Sequence, residues 1–407
     1  MSSSILISGA GIAGLAAALA LSRAGVRVDV VERATALSTE GAGVQLGPNV
    51  TRILQAWGLE RGLQEQGFSP HHLCAHDARD GRVLAQVDLG QAVQRYGAPY
   101  VCIHRADLQA LLWQGLQGQG QWHWGQSLQT VDATDTHVVV HSASGQAWQG
   151  EGLVVADGIG STLRRALTGD GPATATGHVA LRALLPMADV PLKWRTANVH
   201  VWMGARFHLV HYPVRGGQWL NLVLVIHRPD HSESDQWSLQ GDGLWAQQAV
   251  SDSCAALRDV VGAVGQWRYW VLADRAPMRS ATDMARGRVA LVGDAAHPMR
   301  PYFAQGAGMA IEDAAALQSA WQHAGDQGVA LAWRAMADSR WRRVAKVQAK
   351  SRRNGLVFHS TGWLRWARNG ALQTIGSPLM NPAWLYGGGP MPVAGKGGVL
   401  GEPVKGR

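Results

Sequence analysis

SILISGAGIAGLAAALALSRAGVRVDVVER, residues 4–33, reads as a strand, a glycine turn, a helix and a second strand. "SILIS" is the first strand, an Ala/Leu-rich helix follows, Gly25 stops it, and "VRVDVVE" closes on Glu32. Gly9, Gly11 and Gly14 form G-x-G-x-x-G. Gly9 permits the tight turn, Gly11 lets a pyrophosphate approach the backbone, and Gly14 lets helix and strand pack closely. The helix N-terminus offers free N–H groups to phosphate oxygens. Glu32 stands 23 residues after Gly9, where an acid can hold ribose hydroxyls. A lone glycine motif is weak, but strand, helix, second strand and terminal acid together specify nucleotide binding. They do not separate NAD from FAD. The same stretch is apolar enough to mimic a membrane or signal segment, but it lacks a basic start and runs directly into a strand.

The bulk numbers fit a folded enzyme. The chain has 407 residues, enough for two domains, and 46% hydrophobic against 16% charged residues, enough for a sizeable core. A net charge of +8 favours anionic partners without choosing among them. Cys74, Cys102 and Cys254 are scattered and odd in number, which is no disulfide framework and suits a reducing cytoplasm.

Two more strand-to-acid signals follow. "EGLVVADGIGSTLRRAL" is an apolar strand, Asp157-Gly158, and a Ser-capped helix start. It places Asp157 at the carboxyl edge of a sheet, where ligands of open α/β sheets lie. "GRVALVGDAAHPMRPYFAQGAGMAIEDAAAL", residues 287–317, predicts a third apolar strand ending at Gly293-Asp294, then a helix opened by Gln305-Gly306-Ala307-Gly308. Glycine costs up to about 1 kcal/mol of helix propensity. It leaves first-turn N–H groups uncovered, where they can stabilise negative charge.

In this order and at these separations the three motifs resemble the single-component FAD-dependent aromatic hydroxylases. "GAGVQLGPN" at 41–49 resembles that family's loop beside the isoalloxazine, and "IHRADLQALL" the segment whose Arg, here Arg105, reaches FAD. "PAWLYGGG" resembles the tail of the salicylate and 3-hydroxybenzoate 6-hydroxylase branch. The resemblance implies an α/β fold like para-hydroxybenzoate hydroxylase: a Rossmann-like FAD-binding domain, an inserted and mostly antiparallel substrate domain, and C-terminal helices. It assigns FAD contacts to Gly9, Gly11, Ala13, Gly14, Glu32, Arg33, Gly43, Val44, Arg105, Asp157, Gly293, Asp294, Gln305, Gly306, Ala307, Gly308 and Met309. It also implies NADH or NADPH as co-substrate, O2 addition at flavin C4a, and oxygen transfer to a phenolic acid of hydroxybenzoate, salicylate or hydroxynicotinate type. A simple Rossmann dehydrogenase needs neither the second acid nor the late glycine-opened helix. A single G-x-G-x-x-G leaves the nicotinamide nucleotide without a Rossmann domain of its own. The rivals are a bulkier or urate-like substrate, or a flavin-binding oxidase or sensor that hydroxylates nothing.

The expected division gives FAD-binding segments at 1–70, 100–168 and 275–325 and substrate-domain segments at 71–99 and 169–274. A helical region at 326–386, helical to about residue 372, and a Gly/Pro-rich tail at 387–407, expected to be disordered, complete it. Asp80-Gly81 is the expected hairpin turn in "LCAHDARDGRVLAQVDL". In "RFHLVHYPV" alternation puts Arg206, His208, Val210 and Tyr212 on one face and Phe207, Leu209 and His211 on the other. His208 and Tyr212 are thus spaced to touch one small aromatic ligand and assist removal of a phenolic proton. The bland alternative is an amphipathic strand with two satisfied polar groups, and His211 is the substrate contact if the register differs. His208-x-x-x-Tyr212 resembles the 3-hydroxybenzoate 6-hydroxylase pattern, which has Gln where Pro301 stands here. Gln45 is expected across from the substrate, Pro301 in the wall over the flavin edge, and His297 in a structural role.

Other signals are set aside. His72, Cys74 and His76 share a strand face, but no further ligand cluster accompanies them in the sequence, so no metal is expected. The basic run 340–353 is expected to be a solvated helix face rather than a nucleic-acid or membrane surface. No stable membrane insertion and a monomer or homodimer are expected.

Overall fold

A computed structural model describes residues 4–229, 239–241 and 243–392. The expectation of a disordered tail falls mostly on residues 393–407, outside the described residues. Strand Ile5–Ser8 lies at the heart of a six-stranded sheet. It pairs in parallel with Val28–Val31 on one side and Gly152–Val155 on the other. Gln121–His123 and Val289–Leu291 extend the parallel run, and Ala285–Arg286 adds an antiparallel edge. All three acid-ended segments therefore deliver their carboxyl ends to one rim. Helix Ile12–Arg23 is buried along most of its length and packs on helix Gly306–Ala324. Gly9 has φ of +92°, and a Cβ on Gly14 would lie 1.8 Å from the Gly9 carbonyl oxygen, so neither position accepts a side chain.

The second layer is an eight-stranded sheet. Its strands run in the spatial order 239–241, 267–274, 174–186, 219–227, 207–214, 199–204, 72–77 and 83–88. Every neighbouring pair is antiparallel except 72–77 with 199–204. Asp80-Gly81 turns the outermost hairpin, with Gly81 at φ of +80°. One face of this sheet packs a core of its own with Leu209, Leu222, Leu224, Val260 and Trp267. The other face turns toward the nucleotide domain. There Asn221 Oδ1 accepts the Gly43 N–H at 2.6 Å, tying it to the short sheet of Gly43–Leu46 and Val101–His104.

Helices Val329–Phe358 and Gly362–Met380 close the fold, so helix extends past residue 372. The basic run is a solvated face only in part: Arg342, Lys346 and Arg353 are exposed, while the other arginines turn inward. Arg340 is 1% exposed and donates to Glu312 Oε2 at 2.6 Å and Asp313 Oδ1 at 2.9 Å. Arg343 adds bonds to both Glu312 oxygens, and Arg352 pairs with Asp274. Arg340 and Arg343 thus fasten the long helix to helix Gly306–Ala324, and Arg352 fastens it to the end of strand 267–274 in the eight-stranded sheet. Among the described residues no helix is long and apolar enough to cross a membrane.

Candidate active site

The cofactor side starts at Gly9. Glu32 Oε2 accepts the Ala10 N–H and Oε1 the Ala34 N–H at 2.8 Å, which fixes the acid at the strand end beside Arg33. Gln109 donates to the Ala10 carbonyl at 2.7 Å, holding the glycine turn from behind. Beside Gly11 a Cβ would meet nothing within 4 Å, and helix Ile12–Arg23 carries no side-chain cap. Its first N–H groups therefore face open space.

Asp157 sits beside this turn, because a Cβ on Gly9 would strike the Ala156 carbonyl at 2.8 Å. Its Oδ1 is buried without a hydrogen-bond partner among the described residues. Burial raises the Asp157 carboxyl to about 6, against a hydrogen bond from Ser161 that favours the charged form. Ser161 also caps helix Thr162–Thr168 by accepting the Arg164 N–H at 2.9 Å. Arg164 then reaches across to donate to the carbonyls of Ala295 (2.8 Å) and Ala296. That bond physically joins the second motif to the third.

The strand of the third motif is shorter than expected. It ends at Leu291, and Gly293–Ala296 forms a single helical turn carrying Asp294. Gly293 has φ of +55°, and a Cβ there would lie 2.7 Å from the Ala13 side chain. Asp313 Oδ2 accepts the Gly293 N–H at 3.0 Å and lies 2.5 Å from His297 Nε2, so His297 belongs to the frame. The Asp294 side chain is exposed, yet protein surrounds it closely enough to raise its carboxyl, opposed by His297 and Arg105.

The two glycines that open helix Gly306–Ala324 divide. Gly306 faces open space and the helix start has no side-chain cap. Gly308, expected to be open to a ligand, also packs closely, since a Cβ there would press Val50 at 3.0 Å. Met309 is buried against Arg340, and buried Gln305 accepts from Asn49 at 3.3 Å. Ala307 packs against the main core, and Val44 pairs with Ile103 at the short sheet. Arg105 begins helix Arg105–Gly115 beside Gly41, near Asp294.

The eight-stranded sheet supplies the other wall. Strand Phe207–Val214 begins after Arg206, which sits in a turn at φ of +62° rather than on the expected strand face. Tyr212 points toward the loop at Gly43, since a Cβ on Gly43 would lie 2.7 Å from its ring. Gln45 hydrogen-bonds this phenol and accepts from Tyr100 at 2.7 Å. Burial pushes the Tyr212 hydroxyl up. His208, two pleats away, packs on Tyr302 with ring centroids 5.0 Å apart. His211 faces the opposite side, stacked on His200 at 4.8 Å, so it does not share a wall with His208 and Tyr212. Pro301 opens a 3-10 turn to Phe303 and is itself exposed.

Three groups here carried no usable sequence signal. His208 Nδ1 lies 2.9 Å from His359 Nε2, on a residue 151 positions later. Burial lowers both imidazoles, His359 to about 3, so both are neutral at neutral pH. Tyr302 keeps a buried hydroxyl without a partner among the described residues, and only its place beside Pro301 could have drawn attention to it. A cleft of about 360 Å³ beside Gly41 is lined by Glu40, His104, Arg182, Arg215 and Arg268. Burial lowers both His104 and Arg182, whose neighbouring guanidinium groups add to the effect.

The FAD binding domain family matches residues 2–328. The 3-hydroxybenzoate 6-hydroxylase of Polaromonas naphthalenivorans (strain CJ2) is 36% identical over 391 residues, covering 94% of this chain and 95% of that protein. The 6-hydroxynicotinate 3-monooxygenase of Bordetella bronchiseptica is 34% identical over 399 residues, 94% of each chain. Among solved structures, Klebsiella pneumoniae HpxO complexed with FAD and uric acid superposes with a TM-score of 0.80 at 24% identity, over 93% of this chain and 95% of that one. A salicylate hydroxylase substrate complex gives 0.79 at 23%, over 94% and 95%.

Proposed function

From the premise that the chain belongs to the FAD-binding family of flavoprotein monooxygenases, we propose that it hydroxylates a small aromatic acid, using NADH or NADPH and O2. The residues present fit FAD. Two uncapped helix starts, the open space at Gly11 and Gly306, Glu32 at the strand end and the orphaned Asp157 oxygen line one rim. Glu32 would hold the adenosine ribose, the Gly9–Gly14 turn the pyrophosphate, Asp294 with Arg105 the ribityl chain, and the Gly306 helix start the charged edge of the reduced ring. FAD, when bound and reduced, supplies the activated oxygen.

The protein's own work is done on the opposite wall. The observation that carries the reading is the common face of His208 and Tyr212, which meets the flavin loop at Gly43. Neutral His208 accepts the phenolic proton of the substrate, raising the electron density of the ring that takes up oxygen. His359, half-exposed at the end of its helix, receives that proton through the 2.9 Å contact and hands it toward solvent. Tyr212, held by Gln45, orients the ring. The arginine-lined cleft at Gly41 offers an anionic nicotinamide nucleotide an approach that needs no second nucleotide fold. Work in a reducing cytoplasm suits the three free thiols.

The test is NADH and NADPH consumption in air by FAD-loaded protein across hydroxybenzoates, salicylate, hydroxynicotinates and urate, with product mass and peroxide measured together. A hydroxybenzoate or hydroxynicotinate that accelerates oxidation and gains one oxygen supports the proposal. Oxygen transfer to urate alone, or peroxide with every compound, rejects the substrate class.

A further inference from the structure

The reverse face of the substrate sheet gathers Cys74, His76, His200 and His211. Alternation puts Cys74 and His76 on one side of their strand. Parallel pairing sets His200 opposite Cys74, and antiparallel pairing sets His211 opposite His200. Ligand atoms of Cys74, His76 and His200 all fall within 4.8 Å of one another. Alternation along one strand offers only Cys74 and His76, and His200 and His211 join them only through the pairing register.

Two details distinguish this cluster from a chance grouping. The outer nitrogens of both coordinating histidines are already engaged: His76 Nδ1 lies 3.4 Å from the Gly81 carbonyl and His200 Nε2 2.9 Å from Thr196 Oγ1. Such outer partners orient metal-bound imidazoles. When both outer nitrogens carry the protons, the inner pair, His76 Nε2 and His200 Nδ1, face each other as bare lone pairs 2.9 Å apart. A cation between them removes that repulsion. The second detail is His211, 2% exposed, with neither ring nitrogen partnered among the described residues. It stacks 4.8 Å from His200, beside the cluster.

We propose that Cys74, His76 and His200 bind a divalent late first-row metal ion, with Zn²⁺ the best match, and that its fourth position opens beside His211. A tetrahedral ion with nitrogen donors at about 2.0–2.1 Å and sulfur at about 2.3 Å spreads its donors about 3.3–3.7 Å apart. The 2.9 Å contact must therefore open slightly and the longer spans close by about 1 Å, which side-chain rotation can supply. Burial keeps His76, His200 and His211 neutral, the form in which imidazole coordinates. The thiol of Cys74 is held protonated by burial and gives up its proton to solvent as the metal–sulfur bond forms. The ion would staple strand 72–77 to strand 199–204, next to the strand that presents His208 and Tyr212 on its far side. It lies on the reverse of the sheet and takes no part in hydroxylation.

The experiment uses tag-free, full-length, FAD-loaded protein stripped with a chelator and titrated calorimetrically with Zn²⁺. Co²⁺ is then added and its ligand-field bands are read to the red of the flavin absorption. One ion per chain, bound at micromolar Kd or tighter, lost in Cys74→Ser and His200→Ala, with Co²⁺ bands of tetrahedral intensity, is expected. Thr196→Ala leaves all ligands in place and is expected to weaken binding about tenfold or more. Melting of each stripped variant against the stripped parent shows whether the fold survives. Thr196→Ala provides the readout if a ligand variant does not fold. No saturable Zn²⁺ binding by the parent, or binding that all three folded variants retain unchanged, overturns the proposal.

Discussion

The Gly293 N–H donates to Asp313 Oδ2 at 3.0 Å, so the turn that carries Asp294 hangs from a buried carboxylate on the next helix. Burial raises that carboxylate, but His297 and Arg340 outweigh it and hold it below its ordinary value. Asp313→Ala would leave Arg340 short of one partner and the Gly293 N–H with none. A loss of about 3–5 kcal/mol in denaturant-measured stability is expected, with faster FAD release. Unchanged stability would show that the network is ornamental.

Asp157 gives a pH prediction of unusual sign. Its folded carboxyl, near 6, lies above the unfolded value of 3.8, so the folded state holds the proton more tightly. The stabilising contribution is fully present below the unfolded value and is lost as pH rises through about 6. At pH 8 the ionised group costs the FAD-free protein up to about 3 kcal/mol, at roughly 1.4 kcal/mol per unit. Asp157→Asn should therefore melt higher than the parent at pH 8 and alike near pH 4. A stability difference that does not vary with pH would sink this account.

His359 tests the route for the phenolic proton. Its replacement by Ala should leave NAD(P)H oxidation nearly intact while lowering product formed per nucleotide consumed. His208→Ala should lower the hydroxylation rate by about 100-fold or more. Because the two rings are in contact, the double variant should fall little below His208→Ala alone. Additive losses would separate the two histidines.

The two glycines that open helix Gly306–Ala324 should behave differently. Gly306→Ala meets no atom within 4 Å and is expected to stabilise the FAD-free protein by several tenths of a kcal/mol while weakening FAD binding. Gly308→Ala must displace Val50 and is expected to destabilise the protein whether or not FAD is present. Equal effects on FAD affinity would remove the assignment of Gly306 to the flavin edge.

The fold was legible because its signals are local. The glycine turn, the two-residue period of "RFHLVHYPV" and the Ser161 cap each depend on neighbours a few positions away. What stayed hidden depends on pairing at a distance. The inward use of Arg340 and Arg343 needs Glu312 and Asp313, which a basic run by itself does not reveal. His359 meets His208, and His200 joins Cys74, only once strands and helices have docked. The packing of Gly308 against Val50 was hidden because a glycine that admits a ligand and one that admits a neighbouring helix look identical in one dimension.

The turn at Gly293–Ala296 is fastened from both directions of the chain, by Arg164 far upstream and by Asp313, itself braced by Arg340 downstream. During synthesis the N-terminal βαβ unit can take shape early, but this turn lacks its supports until the long helix near residue 340 has left the ribosome. The proposed ribityl-side acid, Asp294, is thereby not fixed in place until that helix has been made. On the proposed assignment, flavin would be retained only by a chain whose long helix has already docked.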